Sequence, residues 1–148
     1  MHERNYCHLD IKEGNILLAF NKEKQHDPLA GLLPIAFKVS DLGITKKTSD
    51  IKSHKVHIQS GTPRYMAPEQ FFSKRKIVQE PEKSDVFSAG VMMFHLLFKK
   101  HPFLPNSVED KACNSKTFVR DFINSPKNEF KVKISEDLEE LLQGMLTF

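Results

Sequence analysis

The feature that most constrains the fold is "SDVFSAGVMMFHLLF", Ser84 to Phe98, a long and largely apolar run free of helix breakers apart from Gly90. Its apolar residues fall on every face of a helix, and a helix of that kind is a buried one. The chain is therefore expected to build around it as a central post. Ser84 or Asp85 is expected to cap its start, and Pro102 to stop it, because proline disfavours helix at the residue before it. The most apolar part, Val86 to Phe98, is too short to span a bilayer.

Other segments arrange themselves around that post. "NILLAF" (Asn15 to Phe20) and "PIAFKVS" (Pro34 to Ser40) read as two short strands, joined by a polar, proline-punctuated loop over 21–33. Residues 41–69 lack sustained periodicity and read as extended and mobile. The region Val108 to Ile123 reads as a weakly patterned helix. Leu138, Leu141, Leu142, Met145 and Leu146 follow a helical stripe over about 135–147, with Ser135 as its cap and Glu136 and Asp137 at the favourable end of the helix dipole.

Composition narrows the class. The 148 residues are 39% hydrophobic and 28% charged, ordinary for a soluble globular domain, with a net charge of +3. That balance argues against nucleic acid or an anionic membrane as partner. The basic runs Lys46-Lys47, Lys74-Arg75-Lys76 and Lys99-Lys100 are scattered and read as solvated surface. Cys7 and Cys113 have neither a disulfide framework nor a metal spacing, which fits free thiols in a cytosolic or nuclear compartment. The polar first ten residues are not a signal peptide. His54 and His57, with no third ligand near them, read as loop residues.

Four short motifs carry chemistry. His8-x-Asp10-x-Lys12-x-x-Asn15 opens the chain, "SDLG" (Ser40 to Gly43) follows the second strand, "SGTPRYMAPE" (Ser60 to Glu69) follows the polar segment, and "DVFSAGV" begins the buried helix. Any one alone is weak: an Asp-x-x-x-x-Asn can cap a turn, and Asp-Leu-Gly is a common turn tripeptide. Their order together is not accidental.

On these motifs the chain resembles the eukaryotic protein kinases, and most closely the serine/threonine branch. The resemblance implies an α+β fold: a kinase-like C-terminal lobe, mainly helical, with a short β-hairpin near the catalytic loop. It implies phosphoryl transfer from ATP with Mg²⁺ to a protein Ser/Thr hydroxyl, chemistry that rests on positioning and charge stabilisation.

Asp10 matches the aspartate that takes the acceptor's proton, a role typically worth about 10²–10⁴ in rate. Lys12 matches the lysine that steadies the γ-phosphate, and Thr62 the threonine that bridges aspartate and lysine. Asn15 and Asp41 match the two magnesium ligands, and oxygen donors suit that ion. Leu17 matches the residue beneath the adenine, supported by Met92 and Leu96. Leu42 stands where phenylalanine is usual and is expected to fill the same apolar stack, while Gly43 supplies backbone freedom. Asp85 is expected to anchor the catalytic-loop backbone, and Glu69 to be structural.

Leu9 departs from the pattern. An arginine usual at that position helps bind a phosphate on the following segment, and leucine has no donor. Activation through Thr48, Ser49, Ser53 or Ser60 is therefore less expected here. The glycine-rich loop, the strand lysine and the helix glutamate of the family would precede residue 1, and no G-x-G-x-x-G occurs in the 148 residues. "MHERNY" resembles the end of the helix that leads into the catalytic loop. The expectation is a partial domain over 1–148, without measurable transfer on its own. The competing readings are a non-catalytic kinase-like interaction module and a degenerate remnant.

Overall fold

The computed structural model describes residues 1–20, 36–53, 57–72, 78–103 and 117–147. Strands β1 (Tyr6–Cys7), β2 (Ile16–Ala19), β3 (Ala36–Val39) and β4 (Lys46–Lys47) form two small antiparallel sheets. β2 pairs with β3 from Ile16 opposite Val39 to Ala19 opposite Ala36, and β1 pairs with β4 through Tyr6 opposite Lys47. The helices are α1 (Thr48–Lys52), α2 (Pro68–Phe72), α3 (Glu82–Phe98), α4 (Phe118–Ile123) and α5 (Glu136–Leu146). Mixed helix and strand, with short strands beside long helices, is the α+β class expected from the sequence.

α3 is the post, but it is not buried all round. Phe87, Val91, Phe94 and Phe98 line its inner face, whereas Val86 and Leu96 are 42% and 52% exposed. Phe94 is the hub: its ring lies 4.6 Å from Phe98, 4.7 Å from Phe122 and 5.8 Å from Phe118. Such ring pairs add to the gain from burial itself. α5 crosses α3 at Gly90, where a Cβ would sit 2.8 Å from the Met145 Cβ. Only glycine admits that approach. Leu142 and Leu146 complete this core, while Leu141, on the predicted stripe, is 53% exposed.

The ends of α3 differ from expectation. Its N-cap is Pro81, without a side-chain cap, and Ser84 and Asp85 are buried inside the first turn. Both are engaged elsewhere: the Ser84 hydroxyl donates to Glu69 Oε1 at 2.7 Å, and Asp85 accepts from the chain's first loop. Tertiary hydrogen bonds outcompete the local cap. At the other end, Lys99 adopts a left-handed conformation (φ 56°) and donates its N–H to His95 O at 2.8 Å. The helix thus ends before Pro102 acts on it. Ser135 does cap α5, its hydroxyl accepting from Leu138 N at 3.3 Å.

Segment 41–69 is more structured than its pattern suggests, since β4, α1 and the start of α2 lie within it. Ile51 and Ile58 from this segment pack with Cys7 and Leu9 in a second, smaller core, with Ile44 and Val78 against it. Thr48 is buried there beside the Cys7 thiol, which burial pushes up to about 11. Thr48 is therefore packed, unlike the exposed Ser49 and Ser53. The expected helix over 108–123 is α4 from Phe118 onward. Loop 21–33, His54, Cys113, the run at 74–76 and the start of that helix lie outside the described residues. No helix among the described residues is long and apolar enough to cross a membrane.

Candidate active site

The catalytic-loop backbone hangs on one carboxylate. Asp85 Oδ2 accepts His8 N at 2.8 Å and its Oδ1 accepts Leu9 N at 2.7 Å, while His2 Nε2 lies 2.8 Å from Oδ2. Three hydrogen bonds satisfy a carboxylate that is only 5% exposed. From above, Gln70 Nε2 donates to Leu9 O and Ser60 O. Held on both sides, Leu9 keeps a left-handed φ of 69° that a leucine rarely adopts. Its side chain points into the smaller core and is 1% exposed.

His8 is a structural residue with a defined tautomer. Its Nδ1 accepts Asp10 N at 3.2 Å, so the proton sits on Nε2 and is donated to Ser40 O at 2.9 Å. That link ties the loop to the end of β3.

Asp10 is fully partnered. Oδ1 accepts the backbone N–H of Thr62 at 2.8 Å and its hydroxyl at 2.7 Å; Oδ2 accepts Lys12 Nζ at 2.7 Å and Asn15 Nδ2 at 3.2 Å. Burial alone would raise its pKa, but the bonds from Lys12 and Thr62 outweigh it and hold the carboxyl below the usual range. Lys12 Nζ also reaches the Thr62 oxygen at 2.8 Å. The triad Asp10, Lys12 and Thr62 thus forms one closed network. Gly61 permits it: its φ is 119°, and a Cβ there would meet Leu9 O at 2.4 Å.

Asn15 is buried, with its Nδ2 donating to Asp10 O at 2.8 Å, which leaves its carbonyl oxygen outside these bonds. Ser40 donates both N–H and hydroxyl to Asn15 O. The β2–β3 register therefore brings Asn15 and Asp41 to one end of the hairpin. Asp41 is exposed, has φ 60°, and its Oδ1 accepts Gly43 N at 3.3 Å. The left-handed residue of "SDLG" is the aspartate, not the glycine to which sequence reasoning assigned the freedom. Asn15 and Asp41 offer hard oxygen donors of the kind magnesium takes.

Of the apolar residues of the site, Leu42 departs from expectation. Leu17, Leu42 and Leu96 are 55%, 59% and 52% exposed, and Leu42 fills no stack among the described residues. Sequence reasoning also missed a cluster beside the loop. Glu13 Oε2 accepts the Tyr65 hydroxyl at 2.5 Å, and Oε1 lies 2.8 Å from His95 Nδ1. Glu13 stands inside the first motif and Tyr65 inside the third, a signal that was available.

The model of the family described as "Protein kinase domain" matches residues 1–148. The chain is 32% identical over 149 aligned residues to human serine/threonine-protein kinase ULK3, covering 99% of this chain and 26% of that protein. It is 34% identical over 148 residues to calcium-dependent protein kinase 6 of Plasmodium berghei, covering 99% of this chain and 8% of that one. The chain thus spans about a quarter or less of the length of these curated relatives. A whole-chain family match, relatives named as serine/threonine kinases and the loop geometry above agree: this chain belongs to the protein kinase family.

Proposed function

We propose that the chain is the part of a serine/threonine protein kinase domain that receives the acceptor hydroxyl and holds magnesium, in a protein that transfers the γ-phosphoryl group of ATP to a protein Ser/Thr. The observation that carries this reading is the closed network of Asp10, Lys12 and Thr62.

Each residue has a definite task. Asp10, kept ionised by Lys12 and Thr62, accepts the acceptor's proton; the hydroxyl displaces the longest of its four bonds, that from Asn15. Lys12 supplies positive charge beside the base, where negative charge gathers during transfer. Asn15 and Asp41 would hold Mg²⁺, which when bound offsets phosphate charge. Thr62 sets the height of the acceptor segment over Asp10 through two bonds to one oxygen.

The test uses the longest protein that carries this segment, labelled ATP with magnesium, and Ser/Thr peptides. Asp10→Asn is expected to lower transfer by roughly 10²–10⁴. A protein that transfers nothing, or an Asp10→Asn variant as active as the parent, overturns the reading. This chain by itself is expected to show no measurable transfer.

A further inference from the structure

Glu13 joins three separate segments. It begins the short 3-10 turn Glu13–Asn15 that follows Lys12 in the catalytic loop. Tyr65 lies three residues after Thr62 and donates its hydroxyl to one carboxylate oxygen. His95, in the last turn of α3, meets the other oxygen through Nδ1. An ionised carboxylate only accepts, so Nδ1 carries the proton. Burial alone would raise the Glu13 carboxyl, yet these two bonds hold it below its ordinary value. Burial, and after it the same bond, pushes the Tyr65 phenol upward. Both shifts describe one contact from its two ends.

A second histidine braces this junction. The His101 ring stacks on His95 with centroids 4.2 Å apart and planes 14° from parallel, and Tyr65 meets it edge-on at 5.3 Å. His101 Nδ1 is buried without a hydrogen-bond partner among the described residues. A proton on it would be an N–H with no acceptor, beside the charges of His95 and Arg64 and opposed only by Glu13. The stack therefore favours the neutral form of His101.

We propose that Glu13 is a positioning residue: its carboxylate fixes the segment from Thr62 to Met66 against the catalytic loop, presetting the surface on which the acceptor peptide lies. The idea rests on the kinase reading above. Tyr65 N and Met66 N both donate to Thr62 O, so anchoring Tyr65 anchors the turn. None of the four bonds to the Asp10 carboxylate comes from Glu13. Loss of Glu13 therefore acts on the docking of the peptide more than on the chemical step.

Two experiments separate the clamp from the activity. In the longest protein that carries this segment, Glu13→Gln is expected to raise the KM for peptide roughly tenfold, as loss of a charge-assisted hydrogen bond does. Over the same change kcat is expected to stay within about threefold and the KM for ATP to remain unchanged. His95→Gln, which removes only one arm, is expected to give a smaller rise. Unchanged peptide KM in Glu13→Gln, or an equal fall in kcat and kcat/KM, overturns the proposal and leaves the kinase reading standing. In this chain itself, nitrogen-15 NMR at neutral pH is expected to show the His95 proton on Nδ1, and to lose that signature in Glu13→Ala while Val91 and Phe94 amides keep their shifts. A His95 proton found on Nε2 in the parent overturns the clamp even if the protein transfers no phosphate.

Discussion

The molecule has two cores of unequal kind. The larger surrounds α3 and draws Ala67, Phe103, Val119, Leu142 and Leu146 onto one aromatic stripe. The smaller, of Cys7, Leu9, Ile51 and Ile58, joins two segments far apart in sequence. The first is a scaffold, since its contacts tie helix to helix: α3 with α5, and α4 with α5. The second is a clasp, because it lays the segment after Asp41 onto the loop that bears Asp10. Burying a side chain yields a similar gain in either place, but the consequence differs. Losing a scaffold contact costs the whole fold; losing a clasp contact frees one segment.

The largest effect is expected from Phe94→Ala. Phe94 is fully buried and meets three other rings. Truncations of this kind cost about 3–5 kcal/mol, a large share of the ~5–15 kcal/mol that holds a domain together. Urea unfolding is expected to show one cooperative transition displaced to much lower denaturant, with α3, α4 and α5 losing amide protection together. A transition within about 0.5 kcal/mol of the parent would show that α3 is not the scaffold.

Leu9→Ala tests the clasp and is expected to cost about 2–3 kcal/mol, at the lower end for leucine because so small a cluster can close in. Hydrogen exchange is expected to quicken at α1 and at Ile58 to Ser60, while the inner face of α3 keeps its protection. Uniform loss of protection across both cores would abolish the distinction between them.

Much of this was legible in the sequence where chemistry and spacing coincide. Asp10, Lys12 and Thr62 were singled out by the resemblance of their motifs, which also implied the bridge that Thr62 makes between the other two. The place of α3 as the central post and the Ser135 cap were likewise readable, although α3 was expected to be buried all round and is buried on one face only. What escaped reading depends on competition between distant groups. Ser84 looks like a cap because its rival, Glu69, lies far away in sequence; the Asp85 anchor of the His8–Leu9 backbone, by contrast, was expected from the family resemblance and is present. Leu9 was visible as a missing donor, but its role as core needed Ile51 and Ile58 in place. The clamp of Glu13 needed the end of α3 to come beside the loop, which no local pattern declares.

The smallest effect is expected outside the smaller core, at His101, which stacks on His95 of α3 and meets Tyr65 edge-on. Burial, then His95 and Arg64, hold its pKa below the ordinary value of 6.5, with Glu13 opposing. A group with a depressed folded pKa stays neutral in the fold while the unfolded chain takes up a proton near 6.5. Between that value and the lower folded one the unfolded state binds more protons, so stability falls as pH drops and is complete above the window. Asp10 and Glu13, also depressed, act lower: their contributions are present above the ordinary carboxylate range and vanish as pH falls through their folded values. The interval from about pH 5 to 7 therefore isolates His101 from them. His101→Gln is expected to flatten the dependence of the urea midpoint on pH in that interval, at some cost from the lost ring stack at every pH. A parent midpoint that does not change there, or a variant that keeps the parent's slope, would show that the His101 stack carries none of this dependence and leave the Tyr65–Glu13–His95 bonds as the contacts that hold the loop to the end of α3.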